Sequence, residues 1–597
     1  MPHFSRLKKI QFNQFCHQLQ QSLHSLRPTI SASVLGAGLR IAALGALGAL
    51  ITLAAPAAQA DVLIENANGY TLNQAQQLQR FSALVFDDNG KILAVGHSTD
   101  LLAQFPHARR INMGGKTLLP GMIDAHGHTI DLGISATQLN LRNTDNLKEA
   151  QQAIADYAKR NPKQRWLLGG AWNQAIWKLG RFPTAQEIDA VVKDRPVWLG
   201  RIDGHAGWAN SKALQMAGIN RDTPDPQGGK IEKDAQGNPT GILVDNAMEL
   251  IDKIVPMPSE AEQRVALDAA LQQLTRFGLT SIHDAGVSAE ADKLFRNFAD
   301  QGKLAPRVVG MISDTTEFFE RVSATAPAPL LSYADDHYSL RAVKLYADGA
   351  LGSRGAALLA PYSDAPHNKG LLFHSADEIY QMMAKAANKG YQVNVHAIGD
   401  AGNRQILDSF EKLAHDPAVK QFPDLRHRIE HAQVVALSDI PRFVTLNVIP
   451  SMQPTHATSD MNMAEDRVGH ERIAGAYAWR TFLQQGSRIA CGSDFPIESP
   501  NPFWGMHAAV TRQDKRDLPQ NGWYADQAMT VTEAFRCFTL DAAYAGHQEN
   551  VLGSLESGKW ADFIVVDRDL FRIRTKDIYK IRVLQTWVGG KRVYLNK

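Results

Sequence analysis

The sequence predicts an α/β protein: a (β/α)8 barrel of the TIM type with a large insertion, plus a small β-sandwich domain built from both ends of the mature chain. Between about residues 117 and 554, strand-like runs alternate with runs of helical periodicity, which indicates βα units and a parallel sheet. The two ends carry short β-like runs separated by turns instead. Of the 597 residues 44% are hydrophobic, so the chain has ample apolar material for a large core.

The first sixty residues differ from the rest in composition. They hold five basic residues, no acidic residue, and an apolar run over residues 41–55. This pattern is typical of an export signal, and the small residues of Ala58-Gln59-Ala60 predict cleavage after Ala60. We therefore expect a periplasmic or secreted protein that meets a membrane only through this signal, although a later true start or an uncleaved anchor stays open.

Charge and cysteine content limit the classes of partner and of fold. Lys and Arg number 63 against 61 Asp and Glu, spread along the chain without basic runs, so nucleic acid is not an expected partner. We expect a small-molecule substrate, and the sequence leaves a homo-oligomer open. Cys16 leaves with the signal. The apolar surroundings of Cys491 and Cys537 favour free buried thiols over a bridge, which an oxidising periplasm would nevertheless permit.

The predicted β-sandwich takes residues 61–116 and 555–597. In its first part, the turn Asp87-Asp88-Asn89-Gly90 separates two β-like runs, which predicts a hairpin. In its second part, residues 561–566 and 586–594 have the same character. The two ends are therefore expected to pair in one small domain.

The barrel is expected over residues 117–554. Leu267, Ala270, Leu271 and Leu274 recur at helical spacing, and a strand follows that ends at His283. A second helix begins with a capping box from Ser375 to Glu378, and the strand after it ends at His396. Residues from about 135 to 256 do not fit this spacing and are rich in Trp, Gly and Pro. They predict an insertion that partly covers the barrel mouth, with aromatic residues that serve its core more than a substrate wall.

Histidines and an aspartate follow several of the predicted strands. His126 and His128 stand at positions i and i+2, which share one face of an extended strand and suit a zinc-like ion. His396, His431 and Asp494 each close a later apolar run. Because all strands of a (β/α)8 barrel end at one mouth, these residues are expected to converge there.

Lys344 lies between apolar residues of another predicted strand. A snorkelling amine is one reading. An inward, buried lysine is the other, because burial disfavours the charged form and a neutral amine can add carbon dioxide to form a carbamate that bridges two metals. The residues alone do not decide between them.

Five ordered motifs together resemble the amidohydrolase superfamily, most of all its amidohydrolase-3 branch, which includes N-substituted formamide deformylases. The resemblance spans nearly the whole mature chain. The motifs are His126-Gly127-His128, residues 344–354 from Lys344 to Arg354, His396-Ala397-Ile398-Gly399-Asp400, Glu430-His431-Ala432-Gln433 and Ser493-Asp494-Phe495-Pro496.

The resemblance implies a metal site and a mechanism. It implies that His126, His128 and Asp494 bind one metal, that His396 and His431 bind a second, and that carboxylated Lys344 bridges them. The ions would lower the pKa of a bound water from about 15.7 toward about 7 and polarise the substrate carbonyl. Asp494 would carry the proton from this water to the leaving amine.

Four further residues are candidates for contact with substrate: His205, His283, Arg354 and Trp172. For His205 in a Gly-rich loop of the insertion and for His283 at a strand end, a hydrogen-bonded structural role is an equal alternative. For Arg354 the equal alternative is a salt bridge that anchors its loop. Trp172 belongs to the insertion, whose aromatic content points weakly to an apolar or aromatic substrate.

The main hypothesis is an exported, metal-dependent hydrolase that cleaves a non-peptide C–N bond of amide or formamide type. Ester or lactone hydrolysis at the same site is the alternative among enzymes, and a non-catalytic exported binding or regulatory protein is the alternative from another class. Imidazole ligands favour zinc, with one or two ions left open.

Overall fold

A computed structural model describes residues 61–256, 258–325, 328–419 and 422–596. The predicted export segment, residues 1–60, lies outside the described residues. Among those that are described, no helix combines the length and the apolar character that a membrane crossing needs.

The central sheet is the predicted barrel, and it is nearly closed. Its eight strands, numbered along the chain, are β1 Met122–Gly127, β2 Leu279–Val287, β3 Arg307–Ser313, β4 Tyr338–Tyr346, β5 Gln392–Ala397, β6 Arg428–His431, β7 Ile449–Met452 and β8 Ala490–Cys491. Each pairs in parallel with the next in sequence. A single parallel bridge from Gly127 to Phe495 connects β1 with the segment after β8.

Helices lie between and after the barrel strands, as the helical periodicity predicts. The capping boxes at Ser259 and Ser375 begin two of them, because each serine accepts from the backbone of a glutamate three residues on. The helices are Thr129–Ser135, Glu260–Arg276, Ala289–Asp300, Glu317–Ser323, Ala376–Ala387, Asp400–Ala414, Phe422–Leu425, Ile440–Thr445, Pro454–Asp460, Ala464–Arg472, Trp479–Gln484, Pro502–Thr511, Val531–Cys537 and Leu540–Ala545. An added strand, Leu330–Tyr333, pairs antiparallel with β4.

The insertion between β1 and β2 has its own six-stranded sheet. In spatial order its strands are Gly229–Lys233, Pro239–Asp245, Ala206–Ala209, Val197–Arg201, Leu167–Trp172 and Leu139–Asn140. Helices Leu147–Arg160, Ala185–Asp189, Ser211–Met216 and Glu249–Asp252 accompany them. Trp172, Trp177 and Trp208 lie in the insertion's own hydrophobic cluster, which agrees with the expectation that its aromatic residues form a core.

Both ends of the described chain meet in one six-stranded sheet. Its order is Lys591–Leu595, Val583–Val588, Phe563–Val566, Thr117–Pro120, Asn68–Leu72 and Leu78–Phe81. A second, four-stranded sheet shares a buried hydrophobic cluster with the six-stranded sheet. Its order is Ile92–Gly96, Ala83–Phe86, Val62–Glu65 and Arg109–Asn112, and the helix Ser98–Gln104 follows the first of these strands along the chain. The sandwich arrangement and the exact domain boundaries stay predictions.

Cys491 and Cys537 form a disulfide, with Cα atoms 5.1 Å apart. The expectation of free thiols is therefore wrong. The apolar neighbours of each cysteine indicated burial correctly, but pairing depends on the fold, which brings the end of β8 beside the end of helix Val531–Cys537 at a separation that suits a disulfide.

Candidate functional site

His126 and His128 stand at the mouth end of β1, as the sequence predicts. Asp124 holds this strand against the segment after β8, because its carboxylate accepts from the backbone N–H of His126 (3.1 Å) and of Ser493 (3.0 Å) and from the Ser493 hydroxyl (2.5 Å). Burial raises the pKa of Asp124 to about 7, although these hydrogen bonds favour its charged form. A Cβ at Gly127 would collide with the ring of Phe495, so glycine is needed between the two imidazoles.

His126, His431 and Asp494 present ligand atoms that all lie within 4.8 Å of one another, and all three residues are buried. His126 Nε2 lies 3.6 Å and His128 Nε2 3.3 Å from Asp494 Oδ1. The resemblance had paired His431 with His396 in a second site. In the structure the His431 ring is a neighbour of both predicted groups: it lies 4.9 Å from the ring of His126 and 4.5 Å from that of His396.

His396 provides a direct test of whether the site fits a metal. Its Nε2 is buried without a hydrogen-bond partner among the described residues. The nearest carboxylate, Asp348, lies 3.8 Å away and already accepts from three backbone N–H groups, of Ile398, Gly399 and Ala357. A buried, unpartnered imidazole nitrogen beside other imidazoles and a carboxylate is a donor set that zinc-like ions prefer.

Lys344 is inward and buried, with 2% of its surface exposed. Its Nζ lies 3.5 Å from His126 Nε2 and 4.4 Å from the centre of the Tyr346 ring. Within the described part of the chain, no carboxylate forms an ion pair with this lysine. The amine therefore does not reach solvent, and the inward, buried alternative is the one that the structure shows.

A second group of side chains orients the imidazoles. Glu430 Oε2 contacts His126 Nδ1 at 2.5 Å, and Arg428 in turn donates to Glu430 at 2.9 Å. Gln453 Oε1 lies 2.8 Å from His431 Nδ1. When Nδ1 of a histidine is occupied in this way, Nε2 is the nitrogen left to bind a metal.

Electrostatics prepares these groups as ligands. Burial, with help from neighbouring positive groups, holds the pKa values of His126, His396 and His431 well below their ordinary value. Burial opposes the charge of Asp494, but hydrogen bonding to His128 and the nearby imidazoles outweigh it and lower its pKa. These three histidines therefore offer neutral imidazoles beside an ionised carboxylate, the forms that bind a cation.

Of the four candidate substrate contacts, His205 is brought to the site. Its ring lies 5.0 Å from that of His396, and its Nδ1 lies 2.7 Å from Asp245 Oδ1. Burial disfavours the charged ring of His205, but Asp245 outweighs burial and raises its pKa. Asp494 raises the pKa of the His128 ring in the same way against burial.

The structure does not bring the other three candidates to the site. His283 is fully buried inside the barrel, where Arg428 Nη1 lies 3.0 Å from its Nδ1, because β2 continues four residues beyond it to Val287. Arg354 pairs with Asp364 at 2.9 Å, the loop-anchoring alternative. Trp172 is fully buried in the insertion and donates its indole N–H to Leu199 O.

His456 lies at the site although its sequence position did not predict this. This residue lies in helix Pro454–Asp460 directly after β7, with its ring 5.8 Å from and stacked on that of His431 and its Nε2 3.6 Å from Asp494 Oδ2. That nitrogen has no hydrogen-bond partner among the described residues. Its position four residues after Met452, the last residue of β7, is the only sign of this placement in the sequence.

Solvent reaches the site past three of its side chains. The exposed fractions are 22% for His128, 17% for His205 and 12% for His456, whereas His126 is fully buried. A cavity of about 630 Å³ lies between helices Ala376–Ala387 and Asp400–Ala414, and none of the predicted ligands lines it. Among the described residues, the side chains that could hold a metal therefore lie in the cluster of imidazoles at the barrel mouth.

Comparison with known proteins identifies the family. Residues 109–594 match the model of the amidohydrolase family. The chain belongs to the amidohydrolase family. This amidohydrolase is 33% identical over 538 residues to the putative amidohydrolase YtcJ of Bacillus subtilis, covering 88% of this chain and 98% of the relative. It is 28% identical over 544 residues to the N-substituted formamide deformylase of Arthrobacter pascens, covering 89% and 97%.

A solved structure agrees with the fold of this amidohydrolase. An uncharacterized metal-dependent hydrolase from Pyrococcus horikoshii OT3 superposes with a TM-score of 0.69 at 26% identity, covering 86% of this chain and 99% of that one. With the His/His/Asp group described above, these matches make the protein a metal-dependent amidohydrolase.

Proposed function

We propose that this amidohydrolase is exported and hydrolyses a non-peptide carbon–nitrogen bond of amide or formamide type. The observation that carries the proposal is the convergence of His126, His431 and Asp494 within 4.8 Å, with Lys344 Nζ 3.5 Å from His126. The similarity to a protein named for formamide deformylation supports the choice of bond.

Six residues would hold the metal: His126, His128, Lys344, His396, His431 and Asp494. When bound, divalent ions supply Lewis-acid polarisation of the substrate carbonyl and a lowered pKa for water. The Asp494 carboxylate lies beside His126 and His128, so it can accept the proton of the attacking water and return it to the nitrogen as the C–N bond breaks. His456 faces the other carboxylate oxygen at 3.6 Å and limits the orientations of Asp494.

We further propose zinc as the ion and a carbamate on Lys344. The imidazole-rich donor set favours zinc over manganese or iron. Burial without a carboxylate partner in the described part of the chain disfavours a lysine ammonium, and the free amine is the form that can add carbon dioxide. Addition of carbon dioxide to a neutral lysine amine forms an N–C bond and releases one proton, and the carbamate product would offer an anionic oxygen ligand in place of the amine.

Two features support export. The composition of residues 1–60 is typical of a cleavable signal. The Cys491–Cys537 disulfide suits an oxidising compartment such as the periplasm, because cytosolic proteins of most organisms keep their thiols reduced.

The test combines metal analysis with substrate screening. Mature protein, purified from the periplasm without added metal, is measured by elemental mass spectrometry beside His126→Ala and Lys344→Ala. His470→Ala is the matched control, since 87% of that side chain is exposed and it pairs with Glu465 instead of the site. We expect about two zinc equivalents in the parent and the control and fewer in both site variants.

Formamides, amides, esters and lactones with apolar substituents are then compared as substrates. Release of amine from the first two classes, lost in Asp494→Asn while metal is retained, supports the proposal. Turnover of esters alone would favour the ester or lactone reading. Absence of metal after reconstitution with zinc and bicarbonate would refute the proposal and leave a binding or regulatory protein.

A further inference from the structure

Five imidazoles form a row across the barrel mouth, and the last of them comes from the insertion. In spatial order the rings belong to His128, His126, His431, His396 and His205. The distances between the centres of successive rings are 5.6, 4.9, 4.5 and 5.0 Å. The spacing from His396 to His205 thus matches the spacings among the predicted ligands. By position, His205 is a member of the cluster and not a neighbour of it.

The contact that orients His205 also matches those of two predicted ligands. An acceptor oxygen lies next to Nδ1 of His126, His431 and His205, at 2.5, 2.8 and 2.7 Å. For His205 that oxygen belongs to Asp245, and a carboxylate at this nitrogen leaves Nε2 free and makes it more basic. This arrangement of carboxylate and histidine is the usual support of a metal-binding imidazole.

Asp245 is held in place for this contact. It ends the strand Pro239–Asp245 with a positive φ of 49°, and its backbone N–H donates to His205 O at 3.0 Å, so backbone and side chain both join the two residues. The barrel loop after β4 leaves room for its carboxylate: a Cβ at Gly349 would come within 2.5 Å of Asp245 Oδ2, and one at Gly355 would also collide with that atom. The pair is therefore seated directly against the loop that follows Lys344.

We propose that His205 is a metal ligand supplied by the insertion and that Asp245 is its positioning residue. This inference rests on the proposed function, since it adds a ligand to the same centre beside His396. A bound ion then joins the insertion to the barrel. The metal-loaded enzyme holds the strand pair Val197–Arg201 and Ala206–Ala209 more firmly over the mouth than the metal-free enzyme does.

Zinc affinity gives the first test, with a readout that does not depend on activity. Metal-free full mature protein is titrated with zinc against a chromophoric chelator, for the parent, His205→Ala, Asp245→Asn and the exposed control His470→Ala. We expect His205→Ala to weaken one zinc equivalent by about 100-fold or more, and Asp245→Asn by about 10- to 100-fold, as for other supporting residues of metal-binding histidines. The control should bind as the parent does.

Hydrogen exchange gives the second test and covers a folding defect. Zinc should slow exchange over residues 197–209 in the parent and not in His205→Ala, with His205→Gln as a variant of closer size. Circular dichroism of each metal-free variant reports whether it is folded. If His205→Ala is unfolded, the test relies on Asp245→Asn, which keeps an acceptor oxygen at the same position.

The outcomes separate the two proposals. Two zinc equivalents in the parent, bound with unchanged affinity by folded His205→Ala and Asp245→Asn, would overturn the role of His205 and leave the proposed function intact. A parent that binds no zinc even with bicarbonate would overturn both.

Discussion

Loss of the Cys491–Cys537 disulfide should destabilise the protein by an amount that follows from the length of the loop it closes. The two cysteines are 46 positions apart. A cross-link over this length removes about 13 to 14 cal/mol/K of entropy from the unfolded chain, or about 4 kcal/mol at 25 °C. Both sulfurs are buried, so alanine is the replacement of choice, since serine would bury a hydroxyl.

The assay compares guanidinium unfolding of the mature parent and the Cys491→Ala/Cys537→Ala double variant, each with and without a phosphine reductant, followed by tryptophan fluorescence. The reductant should lower the free energy of unfolding of the parent by about 4 kcal/mol and leave the double variant unchanged. Alkylation before reduction should label neither cysteine of the mature parent. A parent with two alkylated thiols, or an equal effect of reductant on both proteins, would refute the reasoning.

Three further predictions concern buried charges and imidazoles. Burial lowers the pKa of His427 to about 3. The stability that the neutral, buried ring provides is therefore complete above about pH 6.5. It falls as the pH drops toward 3, because in this range the unfolded state takes up a proton and the folded state does not. His427→Asn should therefore lose about 2 kcal/mol less stability than the parent between pH 7 and pH 5 in urea unfolding, and equal losses would contradict this. Glu430→Gln removes the carboxylate beside His126, and its zinc affinity should fall about 10- to 100-fold in chelator competition; an unchanged affinity would show that Glu430 does not support the ligand. Arg307→Met leaves Asp562 buried without its ion-pair partner and should cost about 3 to 5 kcal/mol in thermal unfolding, whereas a cost below about 1 kcal/mol would count against a buried pair.

Five of the six predicted metal ligands could be placed from the sequence because strand ends of a barrel converge whatever the length of chain between them, whereas the inward position of Lys344 was left open. His126, His396, His431 and Asp494 each end or follow a short apolar run, and that alone places them at the mouth. His283 shows the limit of this argument. It also follows an apolar run, but the strand continues beyond it, and its side chain lies deeper in the barrel.

The residues that the sequence did not reveal depend on contacts between distant segments. His456 is on a helix and belongs to no motif that was singled out, so only the position of that helix in the fold places it beside Asp494. The support of His205 by Asp245 needs the antiparallel pairing of two insertion strands, 40 positions apart. Likewise, the disulfide depends on how a strand and a later helix meet.

The sheet that joins the two ends of the described chain is built from segments that are synthesised far apart in time. Thr117–Pro120 leads directly into the strand that carries His126, and its antiparallel neighbour is Phe563–Val566, about 440 residues later. At 5 to 20 residues per second, a ribosome needs roughly 20 to 90 s to make the intervening chain. During that time Thr117–Pro120 has only its parallel neighbour Asn68–Leu72, so a nascent or truncated chain holds the predicted ligands of β1 beside an incomplete sheet. An affinity tag or a deletion at the C-terminus therefore acts on the same sheet that leads into the strand of His126.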